Sequence, residues 1–394
     1  MVIKIRRRAP AFIAAALATA TLCGCSGTAL GPSVPPGNDW TALRPASPAA
    51  ITGGGAKSSA EIGGMPILHV QPNTAAIKAS LGIQVFWNST GPEADEEADA
   101  NRIFNYVVGL GANSVGINFF FYTDGVYPTR VYGVPGSTPT PATIGMIIKV
   151  AREHGLRVLV RPLLNEDNIK IVGNNWRGSI QPPNLTTWFA NYYAFLKPYL
   201  LAAQSNRANA FNIGTELDSL APDESHWTIF ENTVAQIFRG KQVYAVNYGR
   251  WQQDPSYDPV PDPPVDAYPE LGLGDNATVA QLTAAWITWL HNQPPSVVSK
   301  TVLQEVAIAA VAGSYTEPAA AKPSGTPLDL QIQRKWFASA CDAAKAEHMA
   351  GIYFYSVNST DRPSEPAVTA KYAPGSFIGR SDAVIKSCFA SGWS

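Results

Sequence analysis

Ala210-Phe-Asn-Ile-Gly-Thr-Glu-Leu217 is an apolar run that follows a helix-like segment, Leu185 to Ala203, and ends on a carboxylate, Glu216. Period-two alternation predicts a strand with Asn212, Gly214 and Glu216 on one face. A second apolar run, Lys300-Thr-Val-Leu-Gln-Glu-Val-Ala-Ile-Ala309, carries another carboxylate, Glu305. The two carboxylates are about 90 residues apart, roughly three strand–helix units of about 30 residues each. That spacing predicts that they end the fourth and seventh strands of an eightfold α/β array. Paired carboxylates at the carboxyl ends of barrel strands are the equipment for cleaving a glycosidic bond.

The neighbouring sequence supplies the other strands. Leu81–Trp87 reads as the first, Ser114–Tyr122 as the second and Arg157–Asn165 as the third, with Pro162 where pairing stops. After the opening stretch come Gln242–Gly249, a short Val265–Tyr268, the Glu305 run, and Gly351–Asn358 as the eighth. Helical periodicity falls between them: Glu93–Val108 with an acidic start, Ala142–His154 stopped by Gly155, Leu185–Ala203, His226–Arg239, Val279–His291 and Leu328–Glu347. A last helix near Ser381–Cys388 closes the ring. The expected fold is a (β/α)8 TIM barrel over residues 76–394. A doubly wound sheet is the alternative, but the chain lacks the Gly-rich turn with which such sheets bind nucleotides.

Composition limits the partners. The 394 residues are 15% charged with a formal net charge of −1, too neutral for a nucleic-acid or polyanion binder. Ten Trp, 15 Tyr and 15 Phe suit an uncharged sugar, whose apolar faces stack on rings; packing in a large core accounts for most of them equally well. His69, His154, His226, His291 and His348 are scattered and no Cys/His spacing suggests zinc, so neither metal nor cofactor is expected.

The first 25 residues read as an export signal: Lys4, Arg6, Arg7 and Arg8 precede an apolar stretch from Ala9 to Leu22. Leu22-Cys-Gly-Cys-Ser26 resembles a bacterial lipoprotein cleavage box with Cys25 as the lipidated residue; an ordinary secretory signal is the alternative. Either makes the protein exported, at the cell envelope, in the periplasm or outside. Residues 26–75, rich in Pro, Gly and Ser, read as a flexible tether, with an early strand or hairpin at Ile62–Gln71. Cys341 and Cys388 remain, and could pair in an oxidising compartment.

Trp176-Arg-Gly-Ser-Ile180, Ile213-Gly-Thr-Glu-Leu217, Asp266-Ala-Tyr268 and Glu305 together resemble the mannanase-type glycoside hydrolase family 113, within clan A of retaining (β/α)8 glycosidases. Gly111–Val115 and Arg161-Pro162 fit the same pattern. The resemblance implies Glu216 as general acid/base, Glu305 as nucleophile, and Tyr268 as a hydroxyl donor to Glu305. Trp87, Trp176 and Tyr355 are candidate rings under sugar units, and Arg161 and Asn247 candidate inward-facing binding residues. Clan A commonly has Trp on the eighth strand and Asn before the acid/base; Tyr355 and Thr215 stand here. Gln304 and Ala307 also depart from the family's usual seventh strand. Asp124, Glu166 and Asp218 read as solvated loop acids. The expected protein is a monomeric retaining hydrolase of a β-linked, mannan-like oligo- or polysaccharide. An exopolysaccharide-trimming glycosidase and a catalytically silent glycan-binding barrel are the alternatives.

Overall fold

The computed structural model describes residues 78–394 apart from 89–90, 254–258, 261–262, 364–372, 391 and 394. The export signal, Cys25, the tether and the Ile62–Gln71 strand lie outside the described residues.

Chain order runs β1 (Ser80–Phe86), α1 (Glu93–Gly109), β2 (Ser114–Thr123), β3 (Val131–Tyr132), α2 (Pro141–Glu153), β4 (Arg157–Leu164) and α3 (Asp167–Lys170). Then come α4 (Leu185–Ser205), β5 (Ala210–Thr215), α5 (Glu224–Ala235), β6 (Lys241–Asn247), α6 (Tyr248–Gln253) and β7 (Val265–Ala267). The rest are α7 (Val279–Leu290), α8 (Pro295–Val298), β8 (Val302–Val306), α9 (Leu330–Ala346), β9 (Gly351–Asn358) and α10 (Asp382–Ala390). The sheet order is β1-β9-β8-β7-β6-β5-β4-β2, and β1 pairs back onto β2, so eight parallel strands close a barrel. The short β3 lies outside that count, antiparallel to the end of β2. All eight predicted barrel strands are present, and each predicted helix lies within a few residues of its expected bounds. The helix starts follow local chemistry: Thr140, Asn184, Asp223 and Thr278 each cap a first turn with a side-chain oxygen.

Two packed regions result. Between strands and helices lies an apolar shell in which Trp87, Trp188, Trp227, Trp251, Trp286 and Trp336 are fully buried. Core packing therefore accounts for most of the tryptophan that composition had linked to sugar. Inside the barrel the filling is polar. Gln84 donates to the Gln304 carbonyl at 2.7 Å, Asn118 donates to Gln84 at 3.0 Å, and Asn212 donates to Gln304 Oε1 at 3.1 Å. These bonds offset much of the cost of burying the amides, and Asn212 Oδ1 is left without a hydrogen-bond partner among the described residues. Gly116 is needed here, since a Cβ would fall 1.7 Å from Gln84 Oε1.

The strict alternation expected for β5 does not hold. The register against β6 shifts between Asn212 and Gly214. Asn212 points into the barrel, whereas a Cβ on Gly214 would meet Tyr244 and Trp227 of the outer shell at 2.6–2.9 Å. The bulge rotates the strand end, and Glu216 follows in left-handed backbone at φ 53°. A non-glycine residue there costs about 1–3 kcal/mol, a strain that clusters at functional sites. Cys341 and Cys388 form a disulfide joining α9 to α10, with Cα atoms 5.8 Å apart.

Candidate active site

At the carboxyl end of the barrel a cleft of about 550 Å³ is lined by Trp176, Arg177, Glu216, Asn247, Tyr268, Glu305 and Tyr355, among others. Glu216 leaves the end of β5 with its backbone N–H bound to the Ala245 carbonyl on β6. Its Oε1 accepts the Asn247 amide at 2.7 Å, and its Oε2 accepts from Arg177 at 3.2 Å. Burial pushes the carboxyl above the usual glutamate range; Arg177 opposes this, Glu305 adds to it, and the Asn247 amide opposes it. The balance favours a held proton.

Glu305 has a different setting. Arg161 donates to Oε1, and the Tyr268 hydroxyl donates to Oε2 at 2.5 Å. Burial, and then the neighbouring Glu305, hold the Tyr268 phenol well above its ordinary pKa, so it remains a donor. Tyr355 is raised for the same two reasons. Arg161 reaches across the barrel from β4 and also pairs with Asp266 at 2.5 Å and with Asn118 at 3.2 Å. Burial works against its charge, but Asp266 and Glu305 more than restore it.

Glu216, Glu305, Trp176, Asn247, Tyr268 and Tyr355 are thus brought together. Two candidates are not where a sugar could touch them. Trp87 is wholly buried, its ring 6.1 Å from Phe104 of α1, because the end of β1 turns it outward into the helical shell. Arg161 is also wholly buried, and its guanidinium is spent on Glu305, Asp266 and Asn118, so it acts on the cleft through Glu305. Among the described residues no three His, Cys, Asp or Glu side chains form a group able to hold a metal ion.

Residues 86–372 match Glycoside Hydrolase Family 113. The chain belongs to that family. It is a glycoside hydrolase. Its barrel is similar to that of a GH113 β-1,4-mannanase, with TM-score 0.67, 17% identity, and coverage of 80% of this chain and 99% of the other. A GH113 β-mannanase from Alicyclobacillus acidocaldarius in complex with ManMIm gives TM-score 0.66 at 17% identity, over 80% and 98% of the two chains. An endo-β-1,4-mannanase from Thermotoga petrophila gives TM-score 0.50 at 10% identity, over 80% and 77%. At these identities the structural likeness speaks for the fold. No curated protein sequence matches the chain significantly.

This family 113 site contains three charged residues that the sequence reading gave no role. Arg177 pairs with Glu216 at 3.2 Å and with Glu166 at 3.0 Å. Glu166, read as a solvated loop acid, instead lines the cleft and also holds Lys170 at 2.7 Å. Burial would raise it, yet Arg177 and Lys170 bring its pKa below the ordinary range. Asp266 is wholly buried beside Glu305. Arg177 lay inside the quoted Trp176–Ile180 stretch and Asp266 two residues before Tyr268, so position was the available signal; the pairing was not. Asp124 does serve a loop, accepting the Thr129 and Arg130 N–H groups at 2.8 and 3.0 Å.

Proposed function

We propose that the protein hydrolyses a β-linked, mannan-like glycan with retention of anomeric configuration, Glu216 acting as general acid/base and Glu305 as nucleophile. The observation that carries this reading is the unlike treatment of two carboxylates in one cleft. Burial raises the Glu216 carboxyl above the usual glutamate range, the direction that suits a proton donor to the leaving oxygen. Glu305 accepts from a guanidinium and a phenol, donors that suit an attacking carboxylate.

In the first step Glu305 attacks the anomeric carbon, the glycosidic bond breaks, and its electron pair goes to the departing oxygen, which takes the Glu216 proton. In the second step water attacks, Glu216 removes its proton, and the electron pair of the glycosyl ester returns to Glu305. Trp176, half-buried with its ring over Gly178, offers a face to a sugar, and Tyr355 borders the same space. The mannan assignment is supported by the β-mannanases among the structural neighbours and by family membership.

The deciding experiment is proton NMR of the enzyme, without its first 25 residues, digesting β-mannan, glucan, xylan and galactan. A β-anomer appearing first from mannan is the expected result. An α-anomer appearing first overturns double displacement, and no release from any polymer, with binding retained, favours a silent glycan-binding barrel. The N-terminal segment carries a second part of the proposal: export, with a lipid on Cys25. Cys25→Ala should move the protein from the membrane fraction to the soluble exported fraction.

A further inference from the structure

Asp266 and Glu305 sit at paired positions on β7 and β8, facing the barrel interior. One guanidinium, that of Arg161, serves both: Nη2 donates to Asp266 Oδ2 at 2.5 Å and Nη1 donates to Glu305 Oε1. Asp266 and Arg161 have no exposed surface and Glu305 has 6%. Asp266 Oδ1 and Arg161 Nε have no hydrogen-bond partner among the described residues. Asp266 therefore meets Arg161 through a single contact, in a region where charges act strongly on each other. A buried ion pair of this kind is weak evidence for a stabilising role, because desolvation offsets the attraction.

We propose that Asp266 is a positioning residue that takes part of the Arg161 charge away from Glu305, and so sets the balance between the two half-reactions. The inference rests on the retaining reading above. If Arg161 faced Glu305 alone, the carboxylate would be stabilised further, making it a poorer nucleophile and a better leaving group. With Asp266 sharing the guanidinium, attack on the anomeric carbon is favoured and breakdown of the ester is slowed. In the ester itself Glu305 has lost its charge, and Asp266 is the carboxylate that still pairs with Arg161. The other groups facing Glu305 are Tyr268 beyond β7, Tyr355 on β9, Arg177 from the loop before α4, and Glu216 beyond β5; substitution at Asp266 leaves all four in place. Burial, reinforced by Glu305 and Glu216, favours a proton on Asp266, and the direct Arg161 contact opposes it.

The test compares wild type with Asp266→Asn, which keeps shape and a hydrogen-bond acceptor. Both are treated at pH 7 with 2-deoxy-2-fluoro-β-mannobiosyl fluoride, and the covalent adduct is followed by intact mass and peptide mapping. The expected result for the variant is trapping about tenfold slower and reactivation about tenfold faster. Reactivation is first order in trapped enzyme, so partial misfolding does not alter it. Asp266→Ser gives the same comparison if the Asn variant does not accumulate. Equal reactivation rates in wild type and variant, with the adduct on Glu305 in both, overturn the role of Asp266 alone. A wild type that forms no adduct at Glu305 removes the retaining reading, and this inference with it.

Discussion

Asn247 donates its side-chain amide to Glu216 Oε1 at 2.7 Å, while its own Oδ1 accepts the Gly249 N–H at 2.8 Å. The second contact orients the first, because the amide oxygen is engaged by a backbone donor and the NH2 group is turned toward the carboxyl. A donor to the charged form lowers proton affinity, as it does here. Asn247→Ala should therefore move the basic limb of kcat/KM to higher pH and lower its maximum by roughly 10–100-fold. A pH profile on a mannan oligosaccharide reads both effects. An unmoved limb would mean that Asn247 acts on the sugar and not on Glu216.

Glu216 also links stability to pH. Its raised folded-state pKa means that the folded chain binds this proton more tightly than the unfolded chain does. That contribution is fully present below the unfolded value, about 4.3, and is lost as pH rises through the folded value. Glu216→Gln removes the dependence. The variant should melt above wild type at pH 7 and close to it at pH 4, as measured by calorimetry. Melting below wild type at both pH values would show that the Arg177 contact outweighs the burial of the carboxyl.

Each carboxylate has its own chemical signature. With a good leaving group, Glu305→Ala should lose turnover by at least about a thousandfold, and azide should restore it by making the α-glycosyl azide. Glu216→Ala with azide should instead make the β-glycosyl azide, since Glu305 still forms the intermediate. Product NMR distinguishes the two, and exchanged products would exchange the roles.

Two tryptophans separate packing from binding. Trp87 is sealed beneath α1, so Trp87→Ala should cost about 3–5 kcal/mol of stability. Its KM should stay unchanged in the fraction that folds. Trp176 lines the cleft, so Trp176→Ala should raise KM about tenfold with little change in melting temperature. Steady-state kinetics beside thermal melts on both variants would expose a reversed assignment.

The Cys341–Cys388 bridge spans 47 residues and ties α10 to α9 at the end of the chain. The chain-entropy model assigns a loop of that length about 4 kcal/mol. The double Ser variant should unfold at lower denaturant than wild type while keeping kcat, because the bridge lies in the helical shell. Equal midpoints with and without reductant would remove that stabilising role.

The sequence reached the barrel because strand and helix patterns are local. Each run between Leu81 and Asn358 carries its own period, and Glu216 and Glu305 announced themselves as acids ending apolar strands. Tyr268 and Asn247 were legible as polar side chains at the ends of neighbouring strands. What misled was the assumption of undisturbed alternation: the bulge in β5 turns Gly214 to the shell and delivers Glu216 to the cleft through left-handed backbone. Trp87 failed for a related reason, since a residue at a strand end can turn to either side and only the packing of α1 shows which.

By itself, then, the sequence determined the eight strands, their order along the chain and the two carboxylates, all carried by short-range periodicity. Tertiary structure alone decided the electrostatics. Arg161 meets Glu305 across 144 residues and Asp266 across 105, while Arg177 meets Glu216 across 39. Barrel closure brings distant strands around one interior, and burial there makes each charge matter to its neighbours. No local pattern records which guanidinium will face which acid.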